Sequence, residues 1–272
     1  RRLIDLINIG ISKFIQKPVQ VIWSREEDTQ HGTYRPTSMS RYQVGLGRDG
    51  LPVQWESQIA QPNMLAQILS PLGWFNFDPM AVAGGVHDYG LFPGHFYKVK
   101  GVGTDHTNVE LGVPVGPWRA PPNSINVFYT ESVVDELAEL AGQDPLDYRI
   151  KLMSESPRHR AVLEQVAKQG GWGSPLPEGH GRGLAINDWF PLEEAVTVVA
   201  EMVEVSVSKR GKLKVHRVDC VIDCGFAVNP DSVKAQIEGS IIMGMSAALF
   251  EQITLEDGRV AQSNFDDYRI SR

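Results

Sequence analysis

Residues 197–223 constrain the fold of this chain more than any other stretch. Two β-patterned runs, TVVAEMVEVSVS and KLKVHRVDCVIDC, meet at KRGK, and a glycine-containing join between two such runs predicts an antiparallel hairpin. The chain then enters NPDSVKAQIEGSIIMGMSAALFE. Asn229 is suited to cap this helix and Pro230 to occupy its first position, where a missing N–H costs nothing. A long hairpin that feeds a long helix already excludes an all-helical bundle and an all-β barrel.

Residues 3–16 carry Leu3, Ile7, Ile11, Phe14 and Ile15 at helical spacing, and Pro18 closes the segment. VQVIWSREED reads as a strand, and SRYQVGLGRDGLPVQWESQIA as a hairpin turning at Arg48, Asp49 and Gly50. Residues 61–103 show no clear period and read as a long irregular excursion with short strands, of the kind that tends to carry function. Three helices follow: one through Phe128, Val134, Leu137 and Leu140 that Gly142 terminates, then DPLDYRIKLM, then RHRAVLEQVAKQG. GRGLAI returns to β patterning, and EDGR marks a last hairpin. The order β, helices, β, helix, β indicates an α+β architecture of mixed sheets with flanking helices, in two lobes divided near residues 172–182: residues 1–175 with the helical middle, and residues 176–272.

The bulk properties narrow the partners. A net charge of -7 with no clustered Lys and Arg argues against nucleic acid. No apolar run approaches the roughly 20 residues that cross a bilayer. The opening RRLIDLINIGISKF superficially resembles a twin-arginine export signal, but Asp5 and Lys13 interrupt its apolar stretch. Cys220 and Cys224 lie four apart in a β-rich run, roughly 13 Å along a strand. That is too far for a disulfide, which needs α-carbons within about 7 Å, and they read as small apolar residues.

Two places concentrate unusual chemistry. In GPWRAPPN, Pro117, Pro121 and Pro122 restrict the backbone on both sides of Arg119, and Trp118 adds a large packing surface. A guanidinium fixed beside a helix start suits a carboxylate, a phosphate or a developing oxyanion; a structural salt bridge to a core carboxylate fits the same residues. In the helix after Asn229, Gln236, Ser240, Gly244 and Ala247 form a small, polar stripe beside Val233, Ile237 and Ile241. Gly239 and Gly244 each cost a helix about 1 kcal/mol relative to alanine. Packing of this helix on a sheet explains the stripe more simply than a ligand does, although a ligand also explains it.

Other features are weaker. GHGRG at 179–183 lacks the strand-to-helix setting of a phosphate loop and reads as a linker. His31, His87, His95 and His106 are scattered without metal-ligand spacing. Glu193 with Glu194, and Glu26, Glu27 and Asp28, read as solvated surface. No metal ligand is assigned, and no serine nucleophile elbow, Walker loop or dinucleotide fingerprint occurs.

Three stretches, VQVIWSREEDTQHGTYRP, GPWRAPPNSINVFYTESVVDELAELAGQDPLDYRIKLM and HRVDCVIDCGFAVNPDSVKAQIEGSIIMGMSAALFEQITLEDGRVAQSNFDDY, together resemble the molybdenum-binding subunit of the xanthine oxidase family. The likeness is greatest to the branch of isoquinoline 1-oxidoreductase β subunits and quinone- or cytochrome-linked aldehyde dehydrogenases. The resemblance implies a molybdenum-cofactor-binding domain of a hydroxylase that oxidises an N-heteroaromatic or an aldehyde with water as oxygen source. The implied cofactor is molybdopterin cytosine dinucleotide with molybdenum. The implied partner is a small subunit with two iron-sulfur clusters, which passes electrons on to a cytochrome or quinone acceptor.

The resemblance also assigns residues. Arg119 falls on the family's active-site loop beside the substrate, with Trp118 before it at the cofactor. Gln236 falls where the family hydrogen-bonds the pterin, with Gly239 and Ser240 lining the same surface. Trp-Arg-Ala-Pro-Pro departs from the Phe-Arg-Gly-Phe-Gly of the xanthine enzymes, and Pro121 stands where their second phenylalanine contacts substrate. The family's glycine-rich loop is expected before Arg1 and its catalytic glutamate beyond Arg272, so the chain is expected to be a fragment truncated at both ends and inactive by itself. A non-catalytic scaffold or binding remnant of the same domain is the alternative. Bacterial cytoplasm and periplasm both stay open.

Overall fold

The computed structural model describes residues 2–69, 78, 96–121, 123–189 and 197–271. Its helices are α1 (Arg2–Ile15), α2 (Arg25–Gln30), α3 (Met64–Leu69), α4 (Asn123–Leu140), α5 (Pro145–Leu152), α6 (Pro157–Gly170) and α7 (Pro230–Leu249). Its strands are β1 (Met39–Leu46), β2 (Pro52–Gln61), β3 (Gly101–Asn108), β4 (His180–Trp189), β5 (Thr197–Val207), β6 (Leu213–Asp223), β7 (Leu255–Glu256) and β8 (Arg259–Val260). This is the expected α+β class, with helices beside separate sheets. Residues 34–241 form one compact unit, and residues 1–33 with 242–272 form another.

In the larger unit, β1 and β2 make the expected hairpin, with Val44 opposite Trp55. Gly50 turns the chain at φ 78°, where residues with a Cβ are strained. Strand β3 lies parallel to β2, with Gln54 opposite Gly101. Composition hides this strand, because GVGTDHTN has little β propensity. The glycines have a packing reason: the Gln54 and Glu56 side chains occupy the space that a Cβ at Gly101 or Gly103 would need.

The hairpin at 197–223 is present, and β4 adds to it in the order β4-β5-β6, all antiparallel. In the first half of β5 alternate residues (Val198, Ala200, Met202) are buried, as are Leu184 and Ile186 of β4. They pack against Val162, Leu163, Val166 and Ala167, one stripe of α6, and against Val134, Leu137 and Ala138 of α4. Strand period 2 meets helix period 3.6 on a common face. This core runs continuously from residues 157–170 into 197–202, across the stretch near 175 where the sequence suggests a lobe boundary. GHGRG is no linker: Gly179 turns at φ 77° and His180 already begins β4.

Beneath α4 and α5 lies a charged cluster that sequence reasoning does not single out. Arg149 is 0% exposed. Its Nε donates to Glu131 Oε2 (3.0 Å), its Nη1 to Asp135 Oδ1 (2.5 Å) and its Nη2 to the Glu131 carbonyl (3.0 Å). Tyr97 Oη donates to Glu131 Oε1 at 2.8 Å, and the Ile186 N–H of β4 donates to Oε2 at 3.1 Å. Burial pushes the Glu131 carboxyl above its ordinary range, against the opposing pull of Arg149, Tyr97 and the Ile186 N–H. Burial and the neighbouring carboxylate also push the Tyr97 phenol up. The cluster joins two helices, a strand and the 96–97 segment through one carboxylate.

In the smaller unit, VQVIWSREED is not a strand. Ser24 caps α2 by accepting from the Glu27 N–H at 3.2 Å, and Arg25 lies over the Phe265 ring, 4.7 Å from its centroid. Asn264 Nδ2 donates to Glu26 Oε1, and Asp267 closes a turn by accepting from the Ser263 and Asn264 N–H groups at 2.8 Å each. Strands β7 and β8 form the expected small hairpin.

Candidate functional site

Arg119 and Gln236, 117 positions apart, are joined directly: Arg119 Nη2 donates to Gln236 Oε1 at 2.8 Å. Both side chains are exposed.

The loop that carries Arg119 is held at several points. Tyr34 and Val115 form a parallel bridge, with Gly116 N donating to the Tyr34 carbonyl (2.9 Å) and Tyr34 N to that of Pro114 (3.0 Å). The Arg35 guanidinium lies 5.1 Å from the centre of the Trp118 ring, a cation–π contact. Ala120 takes the left-handed conformation, φ 59°, immediately after Arg119. A residue with a Cβ pays about 1–2 kcal/mol for that conformation, and such strain concentrates at functional sites. The Ala120 carbonyl then accepts from Ser124 N at 3.0 Å, and Asn123 Nδ2, in the first turn of α4, donates to the Asp188 carbonyl at 3.2 Å. The Asp188 carboxylate in turn meets His159 Nε2 at 3.0 Å. The rigid mounting therefore comes from a strand bridge, an aromatic contact and a side-chain chain as well as from Pro117 and Pro121. Pro122 lies outside the described residues.

A core salt bridge does not account for Arg119. Among the described residues no carboxylate pairs with it, and its hydrogen-bond partner is a neutral amide. A guanidinium has five N–H donors, so most of them remain for a ligand.

On α7, Asn229 caps as expected, accepting from Ser232 N at 3.0 Å. Ser240 Oγ donates to the Gln236 carbonyl one turn back, at 2.6 Å. That bond uses the hydroxyl's proton and leaves its lone pairs. Packing on a sheet does not explain the small-residue stripe: a Cβ at Gly239 or Gly244 would meet nothing within 4 Å among the described residues. Ser246 is the helix's buried residue, while Ile242, Met243 and Leu249 are exposed.

The remaining features divide plainly. His31 pairs with Glu27, and His106 Nε2 meets the Gln61 carbonyl at 3.2 Å. His87, His95, Glu193 and Glu194, and most of the excursion at 61–103, lie outside the described residues. Arg25 pairs with Asp28 at the surface. Among the described residues no group of three or more His, Cys, Asp or Glu is arranged to hold a metal. Cys220 and Cys224 are free, and burial with the facing Glu201 carboxylate pushes the Cys220 thiol up to about 12, so it is an unreactive thiol. No described helix is long and apolar enough to cross a membrane.

A family model described as a molybdopterin cofactor-binding domain matches residues 129–272. The chain is 31% identical over 268 residues to the beta subunit of isoquinoline 1-oxidoreductase of Brevundimonas diminuta, with 96% of the chain and 33% of that protein aligned. It is 30% identical over 275 residues to a nicotinate dehydrogenase subunit of Pseudomonas putida, covering 96% of the chain and 23% of that protein. The chain thus spans a third or less of the length of these curated relatives. Its fold is similar to that of quinoline 2-oxidoreductase from Pseudomonas putida 86, with a TM-score of 0.72 at 12% identity over 98% of the chain and 57% of the other.

Proposed function

Because the chain belongs to the family of molybdopterin cofactor-binding domains, we propose that it is the part of a molybdenum hydroxylase large subunit in which Arg119 and Gln236 meet the cofactor and its substrate. The substrate class we propose is an N-heteroaromatic or an aldehyde, oxidised with water as oxygen source. The observation that carries this reading is the Arg119–Gln236 hydrogen bond, made between exposed side chains on two mounted elements.

The residues present fit such a group. Gln236 Oε1 is taken by Arg119, which orients its Nε2 donors away from that bond, and the space beside Gly239 is open. Amide and guanidinium donors next to a face without side chains suit a flat ligand rich in carbonyl, ring-nitrogen and phosphate acceptors. Gln236, with Ser240 and Gly239, would hold the pterin edge, and Trp118 would wall it. Molybdopterin cytosine dinucleotide supplies, when bound, the two-electron chemistry that side chains lack. Arg119 would then donate to an oxygen or ring nitrogen of the substrate as negative charge develops there, a contact stronger in the transition state than in the ground state. The strained Ala120 and the Trp118–Arg35 contact would hold the loop backbone on either side of Arg119, and the bond to Gln236 its guanidinium. Electrons would leave to a small iron-sulfur subunit and from there to a cytochrome or quinone.

The test is composition of the full-length protein purified with its native partner. About one molybdenum and one cytidine monophosphate released per chain is the expected result. Absence of both would refute the reading and leave a binding remnant of the domain.

A further inference from the structure

Behind Trp118 lies a small cavity lined by Arg35, Gln61, Trp118, Ser124 and Asn126, among others. At about 20 Å³ it admits a group the size of a water molecule. Three observations about its wall agree. Gln61 is only 6% exposed, yet among the described residues its side-chain amide has no hydrogen-bond partner; the bonds at this residue use its backbone carbonyl. The residue is buried as a whole, and its amide, which lines the cavity, is free to bond a group that enters there. Arg35 has no carboxylate partner among the described residues, and Trp118 stacks against its guanidinium rather than neutralising it. Ser124 and Asn126 belong to the first turn of α4, an 18-residue helix whose N-terminal end carries partial positive charge.

We propose that this cavity binds a carboxylate group carried by the substrate. One carboxylate oxygen would enter the cavity and accept from Gln61 Nε2, the other would accept from the Arg35 guanidinium, and the rest of the molecule would lie outside, past Trp118, on the side of Arg119. The nearby Asp78 carboxylate is already bonded to the Met64 and Leu65 N–H groups, so the Arg35 charge, the helix N-terminus and the Gln61 amide select an anion over a neutral amide or an alkyl group of the same shape. As a statement about substrate, this rests on the oxidation proposed above; as a binding site, it stands without it.

The test is therefore equilibrium binding rather than turnover. Benzoate and its neutral isostere benzamide are titrated calorimetrically into the purified full-length enzyme at pH 7. Benzoate is expected to bind at least tenfold tighter than benzamide. Arg35→Met, at an exposed position, and Gln61→Leu are each expected to weaken benzoate at least tenfold and leave benzamide unchanged, and Arg35→Lys is expected to recover part of the preference. Equal affinity for the two probes, no saturable benzoate binding, or unchanged benzoate affinity in either Arg35→Met or Gln61→Leu overturns the site. An enzyme that binds benzoate selectively but contains no molybdenum keeps the site and refutes the oxidation instead.

Discussion

Arg149 and Arg119 lie 30 positions apart, and the protein uses them in opposite ways. Arg149 sits inside the core, where Nε, Nη1 and Nη2 all end on Glu131, Asp135 or backbone oxygen. Arg119 sits in the open and gives one bond to a neutral amide. A buried charge has to be matched, since leaving it unpaired costs several kcal/mol. An exposed one on a loop held by its neighbours is positioned without being matched, and its remaining donors stay available. The contrast separates an arginine that holds helices together from one that is presented to a ligand.

The largest effect expected from this contrast is on stability. Glu131→Ala leaves Arg149 buried beside an empty site and removes the acceptor for Tyr97 and the Ile186 N–H, so urea denaturation should show a loss of about 3–5 kcal/mol. Arg119→Ala should change stability by less than about 0.5 kcal/mol in the same experiment. Equal losses would erase the distinction.

Next comes turnover of the full-length enzyme. Removing one charge-assisted contact made in the transition state costs roughly 1.5–3 kcal/mol, so Arg119→Ala should lower kcat about ten- to a hundredfold while bound molybdenum stays near normal. Gln236→Ala should instead lower cofactor occupancy, read as molybdenum per chain. Normal turnover in the first variant would contradict the role given to Arg119.

The two regions are not equally visible in the sequence. Arg119 announces itself through three prolines and a tryptophan within eight residues, and Gln236 through the small residues around it. Their hydrogen bond cannot be read there, because it joins positions 119 and 236 across separate elements. Glu131 and Arg149 hide for a different reason: each sits on a helix among other charged residues, and polar composition there looks like a solvated face. Only the tertiary burial of α4 and α5 distinguishes them. Strand β3 escapes sequence reasoning because its pairing with β2, rather than its own propensity, makes it a strand, and α2 because a serine cap and three acids outweigh the preceding apolar run.

A third arginine sharpens the comparison with the smallest effect. Arg158 donates from Nε to Asp223 Oδ2 (2.6 Å) and from Nη2 to Oδ1 (2.8 Å) at a half-exposed position. Those bonds, with the Gly225 N–H, hold the Asp223 carboxyl down at about 2. A carboxyl depressed on folding stabilises the protein above its ordinary pKa, and that contribution fades as pH falls through about 2. Solvent screening keeps it small. An NMR titration should find Asp223 near 2, and Arg158→Ala should return it toward the ordinary carboxylate range.

Whether Arg119 and Gln236 act as one unit at the cofactor is decided by a double-mutant cycle. Turnover and molybdenum content would be measured for the wild-type full-length enzyme, Arg119→Ala, Gln236→Ala and the double variant. If the hydrogen bond couples them, the double variant should lose less activity per bound molybdenum than the two single losses combined, with a coupling of at least about 0.5 kcal/mol. Losses that simply add would show that the two residues serve the site independently and would contradict the account.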